Sequence, residues 1–248
     1  MLEHSLYVNA NGGKQIVTNM QVIANNLANI STTAFRADYK NVVNTDSIKN
    51  EDRKRVIQNN LIYTDPKPGA INYTGRNLDI AIDGINGYLA VQTQSGQLGY
   101  TRAGSLDITS QGLLVTSKGD IVLGTTGVIT VPPSSKVTID KNGVVYAQLP
   151  GEPATTLSEV GKINLVEAEP ANMKKGNDGL FYPNGNFLPT PAVNIKLIPE
   201  SLEGSNVDPI RCLTELIESS RQFDIHTKLM REASENATKS NQLLNITT

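Results

Sequence analysis

Apolar residues near the start of the chain recur in alternating steps of four and three. Ile16, Met20, Ile23, Leu27 and Ile30 form the clearest run, preceded in register by Leu6, Leu2 and the small Gly13. This is the a/d stripe of a helix that packs on another helix. It predicts a helix over Glu3–Asn29, roughly 40 Å long at the usual rise. The opposite face carries Asn and Gln where an ordinary surface helix carries Lys and Glu, so no face of it reads as wholly wet.

The end of the chain mirrors the beginning. Asp208-Pro209 is a helix start: the Asp accepts backbone N–H bonds as N-cap, and Pro occupies the first turn, where no N–H is needed. Leu213, Leu216, Ser220, Phe223, Thr227, Met230, Ser234, Ala237, Asn241 and Leu244 then keep the three-four step. Ile210, Ile217, Ile225 and Leu229 widen the stripe early on. Beyond Met230 small and polar residues weaken it, which predicts a tail that frays without a partner. This helix is expected to run roughly 50 Å.

Between these ends the punctuation changes. Neither glycine nor proline occurs from Lys14 to Asp65 or after Pro209, whereas both are frequent from Pro66 to Pro209. Both residues are costly inside helices and mark turns. The runs LDIAIDG, GYLAVQTQ, GYTRAGSLDIT, GLLVTSKGDIVLG, KVTIDKNGVVYAQL, KINLVEAE and AVNIKLIP read as short strands with glycine turns between them. In one of them Val137 and Ile139 alternate with polar residues, Asn142-Gly143 has the composition of a type I′ turn, and Val144 and Tyr146 follow. Regular short strands predict an antiparallel sandwich or barrel-like body, not a parallel nucleotide-binding sheet. The charged segment from Arg36 to Asn60 shows little amphipathic period and reads as an extended or partly ordered connector.

The expected fold class is therefore α+β: paired N- and C-terminal helices, coiled-coil-like, around a central all-β antiparallel body. The expected divisions are a first helix in 1–35, a connector in 36–73, the β body in 74–204 and a second helix in 205–248.

Composition narrows the function classes. The chain of 248 residues has a net charge of −2, so no basic excess points to nucleic acid and no polybasic run to an anionic membrane. The single cysteine, Cys212, excludes an intrachain disulfide framework. No stretch approaches the roughly 18 apolar residues of a membrane span, and the N-terminus lacks the pattern of a cleaved signal peptide.

Catalytic chemistry is absent from the pattern as well. His4 and His226 are the only histidines, one in each terminal segment. There is no HExxH, no Cys/His spacing, no G-x-S-x-G, no P-loop and no G-x-G-x-x-G. Cys212 sits on the first turn of a helix, where the dipole favours thiolate. Its flank of Ile210, Leu213 and Leu216 points instead to a buried, inert thiol. Neither catalytic residue nor cofactor nor metal site is expected, and a non-enzyme is the reading.

One segment is more specific than any periodicity. Asn25, Asn26, Leu27, Asn29, Thr33, Phe35 and Arg36, within ANNLANISTTAFRADY, match the NNLAN-(S/T)-GF(K/R) signature of bacterial flagellar rod, hook and hook-associated proteins. Ala34 stands where that family usually has glycine, which works against a positive φ at the turn. The stretch from Thr74 to Gly124 resembles the family's β body in its TGR-LD-AI opening, its YTR-G hairpin and its GLLVT run. The stretch from Val207 to Met230 resembles its C-terminal helix. Length, the early Leu6-Tyr7 start and the RQFDI-TKLM helix favour a proximal rod subunit over a distal rod or hook-type one.

The resemblance implies a structural subunit that polymerises through its terminal helices into a helical drive-shaft segment. The residues expected to carry assembly are Leu6, Ile16, Met20, Ile23, Leu27, Ile30, Leu213, Leu216, Phe223, Met230 and Leu244. Implied partners are other rod proteins, further copies of the chain and the flagellar type III export apparatus. The implied location is the basal-body rod across the periplasm, reached without a cleaved signal. An isolated helix of this kind is marginal in water, so free subunits are expected to have disordered termini beside a folded β body. A different class remains open at this stage: a β-domain that binds cell-wall glycan and is oligomerised by its helices.

Overall fold

The computed structural model describes residues 2–46, 56–133, 135–149, 151, 153 and 157–245. The chain divides into two compact units. One holds residues 1–30, 38–63 and 207–248, the other residues 31–37 and 64–206.

The first unit is built on two helices, α1 (Leu2–Ala28) and α2 (Pro209–Asn245). Asp208 caps α2 as its sequence promises, its Oδ1 accepting the N–H groups of Ile210 at 2.9 Å and Arg211 at 3.2 Å. The segment read as a connector carries two strands, Asp38–Asp46 and Val56–Thr64, which pair as a ribbon. Polar positions hid them: the first strand mixes Asp, Lys and Asn, and the second breaks its apolar residues with Gln58-Asn59-Asn60, so neither shows the period-two signal that usually reveals a strand.

The second unit is the β body, in which every described pairing is antiparallel. Its centre is the strand Gly87–Gln92, which pairs with Leu98–Thr101 on one side and with both Ile121–Gly124 and Leu165–Glu167 on the other. Alternate side chains of a strand point to opposite faces. Here Leu89 and Val91 enter one apolar cluster and Tyr88 and Ala90 enter a second, so the sheet is covered on both sides.

A three-stranded sheet, Lys136–Ile139, Val144–Gln148 and Ser158–Lys162, contributes Val137, Ile139, Val145 and Ala147 to the larger cluster. Each of those residues alternates with a more exposed neighbour. The hairpin within it departs from the expected type I′ turn, because Asn142 keeps a negative φ and only Gly143 is left-handed, at 79°. Asp140 accounts for the difference. Its Oδ1 takes the N–H groups of Asn142 at 2.9 Å and Val144 at 2.8 Å, which favours an Asx-type turn closed by glycine.

The family-like motifs find physical reasons here. Arg76 spans Asp79 and Asp107, while Thr74 Oγ1 donates to Asp79 at 2.8 Å, which explains the TGR-LD string. A Cβ on Gly104 would overlap the carbonyl of Ile80, so the glycine of YTR-G is required by a close backbone approach.

Candidate assembly surface and buried ion cluster

Within the first unit α1 and α2 lie side by side and antiparallel. The direction follows from two contacts: the diglycine Gly12-Gly13 faces His226, and Asn19 Nδ2 donates to the Ser219 hydroxyl at 3.2 Å. A Cβ on Gly12 would come within 3.0 Å of the His226 ring, and one on Gly13 within 3.1 Å. Glycine there lets an imidazole pack directly on the helix backbone.

The stripe predicted on α1 is the packed one: Ile23 is buried, and Ile16, Met20, Leu27 and Ile30 are half-buried. On α2 the prediction is only half right. Leu216, Phe223 and Met230 are half-buried as expected, but Leu213, Ser220 and Thr227 are exposed. Their places in the packed seam are taken by Cys212, Ser219 and His226. The seam runs 212, 216, 219, 223, 226 and 230, one residue away from the apolar reading at every second step. The reason is close approach: Ser219 and His226 are drawn in by Asn19 and the diglycine, and Leu213 turns outward. The side chains of Leu6 and Leu244 lie outside the described residues.

The outward turn leaves an apolar face uncovered. Ile210, Leu213, Ile217, Ile225 and Leu229 are all among the exposed large apolar residues, with Ile210 76% and Ile225 59% accessible. Spaced by three, four, eight and four, they lie along one side of α2 at helical period.

The signature residues have separate tasks. Asn26 is buried, and its side-chain amide brackets one residue of the ribbon: Oδ1 accepts the Asp38 N–H at 2.9 Å and Nδ2 donates to the Asp38 carbonyl at 2.7 Å. It does for that residue what a neighbouring β-strand would do. Lys40 Nζ reaches the Gln15 carbonyl at 2.9 Å, and the Arg211 guanidinium stands 5.4 Å from the Tyr39 ring. Asn25 is exposed, Asn29 folds its side chain back onto the Asn25 carbonyl at 2.9 Å, and Thr33 is half-buried.

Cys212 is buried in the same unit, and burial pushes its thiol above the ordinary cysteine range. That fits the inert reading and not the activated one.

In the β body, Phe35 and Arg36 meet a group that sequence reasoning missed. Glu203 is 1% exposed and sits between Arg36 (3%) and Arg102 (1%). Its Oε1 forms an ion pair with Arg36 Nη1 and accepts the Gly69 N–H at 3.1 Å. Its Oε2 accepts Arg102 Nη2 at 2.8 Å and Nε at 3.1 Å. Arg102 spends its remaining donors on the carbonyls of Gly84 at 2.8 Å and Gly87 at 2.7 Å.

The same corner is closed by Asn206 and Lys175. Asn206 Oδ1 accepts the Ala37 N–H at 2.7 Å, and its Nδ2 donates to the Lys67 carbonyl at 2.9 Å. Lys175 Nζ donates to the Arg36 carbonyl at 2.8 Å and lies 3.7 Å from the Phe35 ring centroid. Three stretches distant in sequence, 34–37, 65–69 and 203–206, are thereby stitched together. The one sequence signal for it was Arg102, a charge placed inside a strand-like run.

Comparison with known proteins agrees with this construction. Over 99% of this chain and 100% of its own length, the flagellar basal-body rod protein FlgF of Escherichia coli is 34% identical to it. The chain belongs to the flagellar basal-body rod protein family. FlgF of Salmonella typhimurium is 35% identical over the same share of this chain. FlgG of Agrobacterium fabrum is 27% identical over 94% of this chain and 96% of its own. The family model for the flagellar hook protein FlgE/F/G D1 domain matches residues 81–147 of this rod-family chain, the centre of the β body. That for the flagellar basal body rod FlgEFG protein C-terminal region matches residues 198–243, from Ile198 through most of α2. The chain is a structural subunit of the flagellar basal-body rod.

Proposed function

We propose that this chain forms the proximal segment of the rod, polymerising with itself and with neighbouring rod proteins through its terminal helices into a helical drive shaft. Its similarity to the two FlgF relatives, at 34% and 35% identity against 27% for the FlgG relative, favours the proximal over the distal position. The observation that carries assembly is the uncovered stripe Ile210, Leu213, Ile217, Ile225 and Leu229 on α2. Burying each such side chain is worth about 1.5–3 kcal/mol, and within one chain that free energy is unrealised. A contact that repeats without closing yields an open helical tube.

The rest of the reading follows from the family. The helical pair acts as a coiled-coil-like assembly unit, and residues 74–204 act as a body. The chain is exported unfolded through the flagellar type III channel without a cleaved signal, and its role is mechanical rather than enzymatic. No helix among the described residues is long and apolar enough to cross a membrane.

The experiment replaces the native copy in a flagellated cell with Ile217→Asp/Ile225→Asp. Both side chains are exposed, so the variant should be exported and fold but fail to enter the rod, leaving cells non-motile and basal bodies truncated in electron micrographs. Normal rods and normal swimming with this variant would refute the role of the stripe.

A further inference from the structure

Four Asn-Gly pairs lie along the chain: Asn11-Gly12, Asn86-Gly87, Asn142-Gly143 and Asn184-Gly185. Asparagine before glycine is chemically unstable. The glycine nitrogen, with no Cβ beside it to crowd the approach, attacks the asparagine side-chain carbon and closes a cyclic imide. That step needs an N–H free of other bonds and a backbone free to turn. Folding grants these to one pair and withholds them from three.

Gly12 is inside α1, where its N–H belongs to the helical ladder and it faces the His226 ring. Gly87 opens the central strand opposite Glu167. A Cβ there would overlap Ile82 and Ile195, and its carbonyl accepts Arg102 Nη1 at 2.7 Å. Asn142 is exposed at a turn, yet both reacting groups of that pair are engaged. The Gly143 N–H donates to the Asp140 carbonyl at 3.1 Å, and Asn142 Nδ2 donates to Asp140 Oδ2 at 3.2 Å. Gly143 is also buried, packed toward Leu165, Leu197 and Ile163.

Asn184-Gly185 is the open pair. Asn184, Gly185 and Asn186 are all exposed, and a Cβ on Gly185 would meet nothing within 4 Å. Gly185, with a φ of 57°, starts a turn closed by the Phe187 N–H on the Asn184 carbonyl at 3.2 Å. Its own N–H makes no hydrogen bond among the described residues. The Asn184 amide is held at the surface, Nδ2 donating to the Ala171 carbonyl at 3.2 Å. We propose that Asn184 is a site of spontaneous covalent modification, converting to aspartate and isoaspartate ahead of the other three pairs in the folded chain. Solvent base takes the Gly185 amide proton, the nitrogen bonds to Asn184 Cγ, and Nδ2 leaves as ammonia. Water then opens the imide at either carbonyl, which gives aspartate or an isoaspartate whose backbone runs through the side-chain carbons. Each product adds one negative charge to a chain of net −2 and removes the donor to Ala171. The isoaspartate also lengthens the turn that seats Phe187 on the smaller apolar cluster. The reaction belongs to the β body of a single chain and does not depend on whether that chain polymerises.

The test incubates the purified full-length chain in mildly alkaline buffer and follows it by tryptic digestion and mass spectrometry. Cleavage after Lys141 and after Lys175 puts Asn142 and Asn184 in separate peptides. Fragmentation locates the converted residue, and enzymatic methylation of isoaspartate gives an independent readout. Freeing Gly143 requires local opening of its hairpin, and about 1.4 kcal/mol of opening slows the reaction tenfold. Asn184 should therefore convert at least about tenfold faster than Asn142 in the folded chain. In guanidinium chloride, where neither glycine is held, the two should convert at similar rates. Gly185→Ala crowds the attacking nitrogen and should suppress conversion at Asn184. Equal rates at Asn142 and Asn184 in the folded chain, a ratio no larger than in denaturant, or undiminished conversion in Gly185→Ala would overturn the proposal.

Discussion

The Ala34 N–H donates to the Glu203 carbonyl at 2.8 Å, and it does so from a φ of 54°. That conformation normally selects glycine, the residue that the flagellar signature usually carries here. The chain keeps the turn and tolerates the alanine. For a non-glycine residue the left-handed region costs roughly 1–2 kcal/mol.

Replacing Ala34 therefore separates backbone strain from packing. Ala34→Gly relieves the strain but gives back about 0.4–1 kcal/mol of unfolded-state entropy and about 0.8 kcal/mol for a buried methyl group. The expected net change is within about 1 kcal/mol of zero. Ala34→Val sets a β-branched residue at a positive φ, a conformation that is a clear outlier for that side chain. Urea titration of the β body should show a loss of more than about 2 kcal/mol for valine and almost none for glycine.

Glu203 should be among the least replaceable residues of the body. Its removal strands two buried guanidiniums, and breaking a buried pair on one side costs about 3–5 kcal/mol. Glu203→Ala should lower the urea midpoint of the β body sharply, by more than any single exposed substitution. Replacing the exposed Arg76 partner Asp107 with alanine should cost no more than about 1 kcal/mol, since that ion pair is open to solvent.

How much of this was legible in the sequence differs by element. The α1 stripe was readable because Ile16, Met20, Ile23, Leu27 and Ile30 are themselves the packed residues. On α2 the large apolar residues and the packed ones part company, since a serine and a histidine fill the seam where Asn19 and Gly12-Gly13 receive them. Periodicity scores size and hydrophobicity and is blind to what lies opposite. Asn26 was noticed as a motif residue, but its task depends on the position of Asp38, which no spacing rule supplies. Glu203 was invisible for the same reason: its partners Arg36 and Arg102 come from remote parts of the chain.

Alkaline pH should loosen the β body through tyrosine. Tyr182 donates its hydroxyl to Asp178 Oδ2 at 2.6 Å, and burial together with that bond pushes its pKa up to about 12. Burial also raises Tyr88 and Tyr100. The folded state holds these phenols neutral, so their contribution is complete below the ordinary tyrosine pKa of about 10. It is lost as the pH climbs through the folded value. Urea midpoints measured at successive pH values should fall between about pH 10 and 12, and Tyr182→Phe should make that fall shallower without abolishing it.

The two faces of α2 predict opposite behaviour for two leucines three residues apart. Leu216 is half-buried on the packed seam, whereas Leu213 is exposed on the uncovered stripe. Leu216→Asp places a charge against α1 and should separate the helical pair, which is packed in this single chain where the sequence predicts disordered termini. Leu213→Asp should leave the pair intact and block only assembly. Leu27→Asp, on the packed side of α1, should behave like Leu216→Asp. Limited proteolysis of each purified chain distinguishes them. Cleavage within α1 and α2 should be faster than wild type for Leu216→Asp and Leu27→Asp, and unchanged for Leu213→Asp. In all three the β body should melt as in the wild type, because its core clusters contain no residue of either helix. A drop in β-body melting with Leu216→Asp would show that the helices contribute to that core, and would undo the division of labour between the two units.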